Sequence, residues 1–252
     1  MELVLGIDLG GSSIKAGAVD AATGHLVGAL DSVPTPAGAT VEATQAALAE
    51  LISRFPQCTG PVGLAFPAAV VRGVTHSAAN VDKGWIGCDA AAVLRAASGG
   101  RPSFVLNDAD AAGVAEMRVG AGRGEKGVVM MITFGTGIGT ALFIDGVLWP
   151  NTELGHLEMD GMEAEHYASA RVRTVENLDW PAWCGRVNKV LDRYYSLLWP
   201  DLFIVGGGVS ERFEEYGALL HAKARIVPAG LRQAAGVVGA AFYAHECARA
   251  AR

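Results

Sequence analysis

Hydrophobic residues along the chain fall into short runs that predict strands, separated by amphipathic stretches that predict helices. Residues 2–9 are an apolar run that ends at a Gly-Gly pair. Alternation then continues through residues 25–28, which predicts three strands joined by tight turns. Residues 40–55 have helical periodicity, with Thr40 as an N-cap and Pro56 as a stop.

The same mixture of predicted strands and helices continues to the end of the chain. Further strands are predicted at 61–66, 103–106, 128–132 and 200–205, and further helices at 90–97, 110–119, 164–175, 181–198 and 234–251. Residues 67–87 have no regular pattern. A loop of that length in a compact domain is usually functional, so we expect it to contact a ligand.

An internal repeat organises these elements into two halves. Val4 to Gly10 aligns with Val129 to Gly135, and the ungapped match continues until Asp20 meets Asp145. Each half reads as strand, glycine turn, strand, turn and strand, followed by a helix and further strands. The repeat predicts an α/β protein with two lobes and a cleft between them. We expect residues 1–107 with 236–252 in one lobe and 108–235 in the other.

Composition and charge narrow the possible functions. Hydrophobic residues are 51% of the 252 residues and the mean hydropathy is +0.29, which indicates a filled core. The net charge of −6 argues against a nucleic-acid partner or a polybasic membrane anchor. No apolar run reaches the ~18–20 residues of a membrane span, and we expect a cytoplasmic protein. The four cysteines have no CxxC spacing and are expected to be free thiols.

Three glycine turns follow predicted strands, at residues 10–13, 135–137 and 206–208. Glycines let the backbone approach an anion closely, so these turns are predicted to bind phosphate. The first turn leads into a hairpin instead of a helix, and no GxxxxGK[ST] occurs. A dinucleotide-binding fingerprint and a Walker loop are therefore excluded.

Two carboxylates stand at the ends of predicted strands. Asp108 could accept a proton from an attacking hydroxyl, or Asn107 and Asp108 could simply cap the next helix. Asp8 precedes the first glycine turn and could serve Mg²⁺, or form a local turn. Lys15 could neutralise phosphate, or could be a solvated lysine.

A polar cluster begins after residue 150 and includes Glu153, His156 and Glu165. Carboxylates and a neutral imidazole suit the hydroxyl groups of a polyol. Metal binding by His156 is the rival interpretation, but HExxH is absent and no cysteine cluster lies nearby. We therefore expect no zinc site.

These motifs resemble the ROK group of sugar kinases, within the actin-like ATPase and hexokinase superfamily. The resemblance covers nearly the whole chain and rests on GIDLGGSSIKAG at 6–17, SAANVDKGWIG at 77–87, LNDADAAG at 106–113, TFGTGIGTAL at 133–142, PNTELGHLEMDG at 150–161 and PDLFIVGGGVS at 200–210. The segments at 77–87 and 150–158 point to the branch that uses polyphosphate. The zinc motif CxCGxxGCxE that is typical of the family is missing.

The resemblance implies a duplicated ribonuclease H-like fold and a specific reaction. It implies phosphorylation of glucose at the 6-hydroxyl, giving glucose 6-phosphate, with inorganic polyphosphate as donor and ATP as a second donor. It also implies Mg²⁺, mannose as an alternative acceptor, and a homodimer, for which we expect an interface on the helices between residues 164 and 199.

The resemblance also implies roles for individual residues. Asp108 would be the catalytic base, and Asp8 would serve Mg²⁺ indirectly. The hexose would be bound by Asn80, Asp82, Asn107, Asp108, Glu153, His156 and Glu165. The phosphate or nucleotide would be bound by Asp8, Gly10, Gly11, Ser12, Ser13, Lys15, Thr133, Gly135, Thr136, Gly137, Gly206, Gly207 and Gly208.

Two alternatives and one open question remain. The chain could be an ATP-dependent ROK kinase of another hexose, such as mannose or N-acetylmannosamine. A sugar-sensing ROK regulator is disfavoured because its helix-turn-helix would need residues ahead of the first strand, which starts at Glu2. Polyphosphate would need a basic track, and the candidates are Lys15, Arg72, Lys83, Arg118, Arg123 and Lys126.

Overall fold

The structure is a computed structural model that describes residues 2–78 and 80–251. Ala79, within the loop predicted to be functional, lies outside the described residues. The strands are β1 (Leu3–Leu9), β2 (Ser13–Asp20), β3 (Asp31–Pro34), β4 (Val62–Phe66), β5 (Val70–Val71), β6 (Val74–Thr75), β7 (Ser103–Asn107), β8 (Val128–Phe134), β9 (Ile138–Ile144), β10 (Val147–Trp149), β11 (Glu158–Met159), β12 (Met162–Glu163), β13 (Leu202–Gly206) and β14 (Arg225–Pro228).

Helices alternate with these strands. They are α1 (Val41–Ser53), α2 (Ala90–Ala97), α3 (Asp108–Val119), α4 (Ala164–Ala168), α5 (Ala170–Val175), α6 (Trp180–Leu198), α7 (Phe213–Tyr216) and α8 (Ala235–Ala250). Helix α1 begins at the predicted cap, where Thr40 accepts a hydrogen bond from the backbone N–H of Ala43. Across the two described ranges, none of the helices has the length and apolar character that crossing a membrane requires.

The chain forms two compact units. The first contains Met1–Val119 and Ala234–Arg252, and the second contains Gly120–Gln233. Helix α3 thus groups with the first unit, whereas the sequence analysis assigned it to the second. The reason is its packing on α8, where a Cβ on Gly239 would overlap the carbonyl oxygen of Ala111.

The first unit is built on a five-stranded sheet in the order β3-β2-β1-β4-β7. β1 runs antiparallel to β2 and parallel to β4. Helix α8 packs closely on this sheet at Gly6 and Gly63. The absence of a side chain allows this approach, because a Cβ on Gly6 would overlap the backbone of Val237 and one on Gly63 that of Ala240. The last helix of the chain is therefore part of the N-terminal core.

The second unit has a five-stranded sheet in the order β10-β9-β8-β13-β14. β8 pairs antiparallel with β9 and parallel with β13, as β1 pairs with β2 and β4. Its core contains the buried side chains of Phe134, Trp183 and Tyr194. The shared strand order confirms the duplicated α/β architecture that the repeat predicted.

The ungapped alignment of the repeat is wrong beyond the glycine turn. The pair Leu9↔Ile14 encloses residues 10–13, whereas Phe134↔Ile138 encloses only 135–137. In the first sheet Leu3 pairs with Asp20. Val128, which matches Leu3 in the repeat, pairs with Ile144 in the second sheet. Asp20 therefore corresponds to Ile144 and not to Asp145, because the second turn is one residue shorter.

Three other local predictions need correction. Residues 25–28 form no strand; Leu26 makes an isolated bridge to Val19, and the third strand is β3. The predicted helix at 164–175 is interrupted at Ser169, which adopts a ψ of 162° and caps α5 through its side chain. Strand β14, at the edge of the second sheet, was not predicted.

Candidate functional site

The first glycine turn joins β1 to β2 and is held from outside by Thr35. The Oγ1 of Thr35 donates to Gly10 O at 2.6 Å, and its backbone N–H donates to Ser12 O at 3.1 Å. A Cβ on Gly11 would meet nothing within 4 Å. The exposed backbone of this turn is therefore open to a ligand. Sequence reasoning missed Thr35, although the Thr-Pro step directly after β3 signals a turn.

Asp8 precedes this turn and lies opposite Lys15 in the β1–β2 ladder. Burial raises the pKa of the Asp8 carboxyl, and the charge of Lys15 partly offsets that effect. A Cβ on Gly236 would lie 2.7 Å from Asp8 Cγ, so the carboxylate occupies space that only glycine leaves. A desolvated carboxylate of this kind favours a cationic partner.

A cavity of about 490 Å³ lies in the first unit beside the glycine turn. It is lined by Gly11, by residues 35–39 and by residues 80–83. It therefore joins the predicted phosphate residue Gly11 to the predicted hexose residues Asn80 and Asp82. One oxygen of Asp82 accepts a hydrogen bond from Gly84 N at 2.7 Å, which shapes the loop.

Trp85 fixes the position of this loop. Its side chain is fully buried, its indole Nε1 donates to Ala39 O at 2.9 Å, and its ring lies 4.7 Å from that of Phe66. Trp85 thus ties the segment 80–85 to residues 35–39, which line the same cavity, and its role is structural.

The junction between β7 and α3 separates the roles of Asn107 and Asp108. Asn107 is buried, and its Oδ1 accepts hydrogen bonds from Ala109 N at 2.8 Å and Asp110 N at 3.1 Å. Its Nδ2 donates to Ala68 O at 3.2 Å. Asn107 therefore caps the helix, while Asp108 is exposed at the end of the strand and its Oδ1 also accepts a hydrogen bond from Ala109 N at 2.8 Å.

The second glycine turn joins β8 to β9 and is held by residues from α4 and α5. Gly135 O accepts a hydrogen bond from Arg171 N at 3.0 Å. Ile138 N donates to Glu165 Oε2 at 3.3 Å, and a Cβ on Gly137 would overlap that oxygen. A predicted hexose residue thus contacts the end of a predicted phosphate turn.

Glu153 is the N-cap of a short 3-10 helix, Leu154–His156, and His156 is the last residue of that helix. Tyr194 Oη donates to Leu154 O at 2.8 Å and holds this helix on the core. His156 Nε2 lies 3.9 Å from Glu153 Oε2, and His156 Nδ1 lies 4.0 Å from Glu165 Oε1. Burial raises the pKa of Glu153. All three predicted hexose residues of this unit therefore lie together.

A fourth residue, Glu163, completes this cluster and was not predicted. Its Oε2 lies 3.2 Å from His156 Nδ1, and this hydrogen bond is the main reason that the pKa of His156 is raised. Asp160 and Gly161, with φ of 53° and 86°, join β11 to β12 and return the chain to His156. The Asp-Gly pair in the sequence was the available signal for that hairpin.

The same side chains could also hold a metal ion. Ligand atoms of His156, Glu163 and Glu165 lie within 4.8 Å of one another. Exposed acidic groups often lie together without an ion, so this geometry does not establish a metal site. The absence of a zinc site at His156 stays a prediction.

The third glycine turn lies beside the second. Gly206 pairs with Thr133 at the end of β8. Gly207 has a φ of 81°, and a Cβ there would overlap the backbone of Phe134. The turns at 135–137 and 206–208 therefore form one glycine-lined edge of the second sheet.

Two of the predicted basic-track residues already have acidic neighbours. Arg118 forms an ion pair with Glu246, with Nε 2.6 Å from Oε1. Lys15 lies opposite Asp8. Lys83 is exposed and lines the cavity that includes Gly11. Arg118 is therefore already paired, whereas Lys83 lies beside the first glycine turn.

Similarity to known proteins covers nearly the whole chain. The chain is 47% identical over 237 residues to the polyphosphate glucokinase of Mycobacterium tuberculosis (strain CDC 1551 / Oshkosh), which is 94% of this chain and 89% of that protein. The inorganic polyphosphate/ATP-glucomannokinase of Arthrobacter sp. strain KM has the same fold, with a TM-score of 0.92 and 47% identity over 98% of this chain and all of that chain.

A more distant relative extends the likeness. A ROK family glucokinase from Streptomyces griseus, solved with glucose and AMPPNP, matches with a TM-score of 0.77 and 26% identity over 97% of this chain and 99% of that chain. The model of the ROK family matches residues 4–196. The actin-like fold, the glycine turns and these matches agree, and the chain belongs to the ROK family.

Proposed function

We propose that this protein transfers the terminal phosphoryl group of inorganic polyphosphate to the 6-hydroxyl of glucose, with ATP as a second donor. The relatives named for this chemistry are 47% identical to this chain. The products would be glucose 6-phosphate and a polyphosphate shortened by one unit.

The observation that carries this proposal is the hydrogen bond from Ile138 N to Glu165 Oε2. It joins a glycine turn suited to phosphate with a cluster suited to sugar hydroxyls, inside one unit. A polyol recognised by Glu153, His156 and Glu165 would therefore lie close to a phosphate on the turn at 135–137. A kinase must hold the acceptor hydroxyl close to the phosphate that is transferred.

Asp108 is proposed to act as the base. Its exposed carboxylate stands at the carboxyl end of β7, and Asn107 holds the backbone beneath it. The transition state of phosphoryl transfer is loose and strongly charged, so positioning and backbone N–H groups supply most of the catalysis. The carboxylate would orient the 6-hydroxyl and accept its proton.

Mg²⁺ is proposed to act near Asp8. The desolvated carboxylate of Asp8, which packs against Gly236, would be stabilised by a hard cation with oxygen ligands, held directly or through water. When bound, Mg²⁺ would neutralise charge on the phosphate oxygens. Lys15, opposite Asp8, would add a second positive charge.

The donor and the acceptor are tested together. We expect purified protein to phosphorylate glucose with polyphosphate as sole donor, and also with ATP as sole donor. Mannose is proposed as a second acceptor and is assayed in the same way. Activity with ATP and N-acetylmannosamine, but none with polyphosphate and glucose, would contradict the proposal.

The base is tested with Asp108→Asn. We expect kcat to fall by about 10²–10⁴, the range for general-base catalysis, while glucose binding by calorimetry changes little. An exposed carboxamide of the same size should leave the fold intact, which thermal unfolding checks. A kcat within a factor of about three of the wild type would exclude Asp108 as the base.

A homodimer is also proposed, with its interface on the helices between residues 164 and 199. Val175, Leu197 and Trp199 are large apolar side chains exposed on this segment, by 75%, 47% and 67%. Apolar surface of this kind is often covered by a partner. Light scattering at several concentrations measures the mass.

A further inference from the structure

We propose that Glu163 is a positioning residue, which holds the ring of His156 with Nδ1–H toward Glu163 and leaves Nε2 to accept a hydrogen bond from a hexose hydroxyl. The inference rests on the proposed hexokinase function for the identity of the ligand. The contact between the two side chains does not depend on it.

The geometry that carries the inference is local to the second unit. Glu163 Oε2 lies 3.2 Å from His156 Nδ1, while Glu165 Oε1 lies 4.0 Å from the same nitrogen. Glu163 is therefore the nearest carboxylate to Nδ1. The β11–β12 hairpin supplies it, and the paired backbone of Glu158 and Glu163 fixes where it stands.

A carboxylate partner decides which nitrogen carries the proton. An ionised carboxylate can only accept a hydrogen bond, so Nδ1 must be the protonated nitrogen when it faces Glu163. In the neutral ring Nε2 is then an acceptor. It lies 3.9 Å from Glu153 Oε2, so these two acceptors could receive hydrogen bonds from neighbouring hydroxyls of one sugar.

Several charged groups surround this pair and must be considered in any pH dependence. Glu153, Glu163 and Glu165 all raise the pKa of His156, and Glu163 contributes the largest part through its hydrogen bond. His166 also contacts the cluster, with Nδ1 3.7 Å from Glu163 Oε2 and Nε2 3.8 Å from Glu165 Oε1. Removing Glu163 lowers the pKa of His156 but leaves the other three groups.

The experiment compares Glu163→Ala, Glu163→Gln and Glu158→Ala. Glu158 is a matched control, because it is the cross-strand partner of Glu163 in the same two-stranded hairpin. KM and kcat for glucose are measured from pH 5 to pH 9. Histidine nitrogen signals are recorded by NMR without substrate, and His156 is identified by the signals that His156→Gln lacks.

We expect Glu163→Ala to raise the KM for glucose about 3–10-fold with kcat within about twofold, as for loss of one partly exposed hydrogen bond. The acid limb of kcat/KM should move to lower pH, because the imidazole is harder to protonate. Glu163→Gln keeps an accepting oxygen, so its KM should stay near the wild-type value while the acid limb still moves. Glu158→Ala should change neither quantity.

The NMR spectra give a readout that does not need activity. We expect wild-type His156 to have a protonated Nδ1 and an unprotonated Nε2 above its pKa, and Glu163→Ala to give a mixture of tautomers. If Glu163→Ala does not fold, Glu163→Gln tests the effect of the Glu163 charge on its own, through the acid limb of kcat/KM. A wild type that phosphorylates no glucose would refute the proposed function, while the tautomer would still test the contact.

Three results would overturn the inference. The first is a KM for glucose and an acid limb of kcat/KM that are the same in Glu163→Ala as in Glu158→Ala. Another is a wild-type His156 protonated at Nε2 alone. The third is a wild-type KM that rises after treatment with EDTA and is restored by zinc, which would make His156, Glu163 and Glu165 a metal site.

Discussion

The two hairpin turns, at residues 10–13 and 135–137, occupy the same place in two sheets of matching strand order but are held in different ways. Thr35, a neutral residue that follows β3, holds the first through two hydrogen bonds. Helices α4 and α5 hold the second, through the carboxylate of Glu165 and the backbone of Arg171.

The carboxylate next to each turn also has a different origin. In the first unit it is Asp8, on the strand that leads into the turn. The matching position in the second unit is Thr133, and the nearby carboxylate comes from Glu165 on α4. The duplicated strands thus supply two glycine turns in matching places, while the side chains that hold each turn come from elements that follow later in each half.

The largest effect expected from this difference is that of Asp8→Asn. If Asp8 serves Mg²⁺, kcat should fall by at least about 10²-fold, in line with the several kcal/mol that a metal contributes. Titration of Mg²⁺ against activity measures whether the metal requirement weakens. An unchanged kcat and Mg²⁺ dependence would remove the proposed asymmetry between the turns.

The same substitution should make the protein more stable at neutral pH. A carboxyl whose pKa is raised by folding binds more protons in the folded state, so stability falls as pH rises above the ordinary value of 3.8. Asparagine removes this penalty, and Tm should rise by about 2–4 °C for each 1 kcal/mol recovered. Asp108→Asn, at an exposed carboxyl, is the control and should change Tm little, because the amide oxygen of asparagine can still accept the hydrogen bond from Ala109 N.

Gly137→Ala is expected to have the next largest effect. The added Cβ would displace the carboxylate of Glu165 from Ile138 N. Only the flexible end of a side chain must move, so Tm should change little. We expect the KM for glucose to rise about tenfold, the loss of roughly one charge-assisted hydrogen bond. A normal KM for glucose would mean that Glu165 does not bind the hexose from this position.

Gly11→Ala is the matched change in the first turn and should have the smallest effect. Its Cβ would meet no protein atom within 4 Å, so neither Tm nor the KM for glucose should change. If the exposed backbone of this turn approaches phosphate, the KM for polyphosphate should rise about threefold, since a methyl group weakens one hydrogen bond. An increase in the KM for glucose alone would reverse the roles assigned to the turns.

Local signals were sufficient for much of this molecule. The strands ending in glycine, the Thr40 cap and the Asp-Gly turn at 145–146 depend on neighbouring residues, and each is present in the structure. The prediction of a strand at 25–28 was wrong because a polar-apolar alternation alone cannot choose between Leu26 and β3 as partner for β2. That choice depends on sheet pairing.

The amino-acid sequence by itself determined the two-fold α/β repeat, the three glycine turns and the family, because these features are written in short contiguous motifs. Only the tertiary structure decided that Thr35 holds the first turn, that Glu163 contacts His156 and that the Nδ2 of Asn107 donates to Ala68 O. The strand pairing also shows that the second turn is one residue shorter than the first. Contacts between residues distant in sequence follow from how strands and helices pack, and no local pattern encodes that packing.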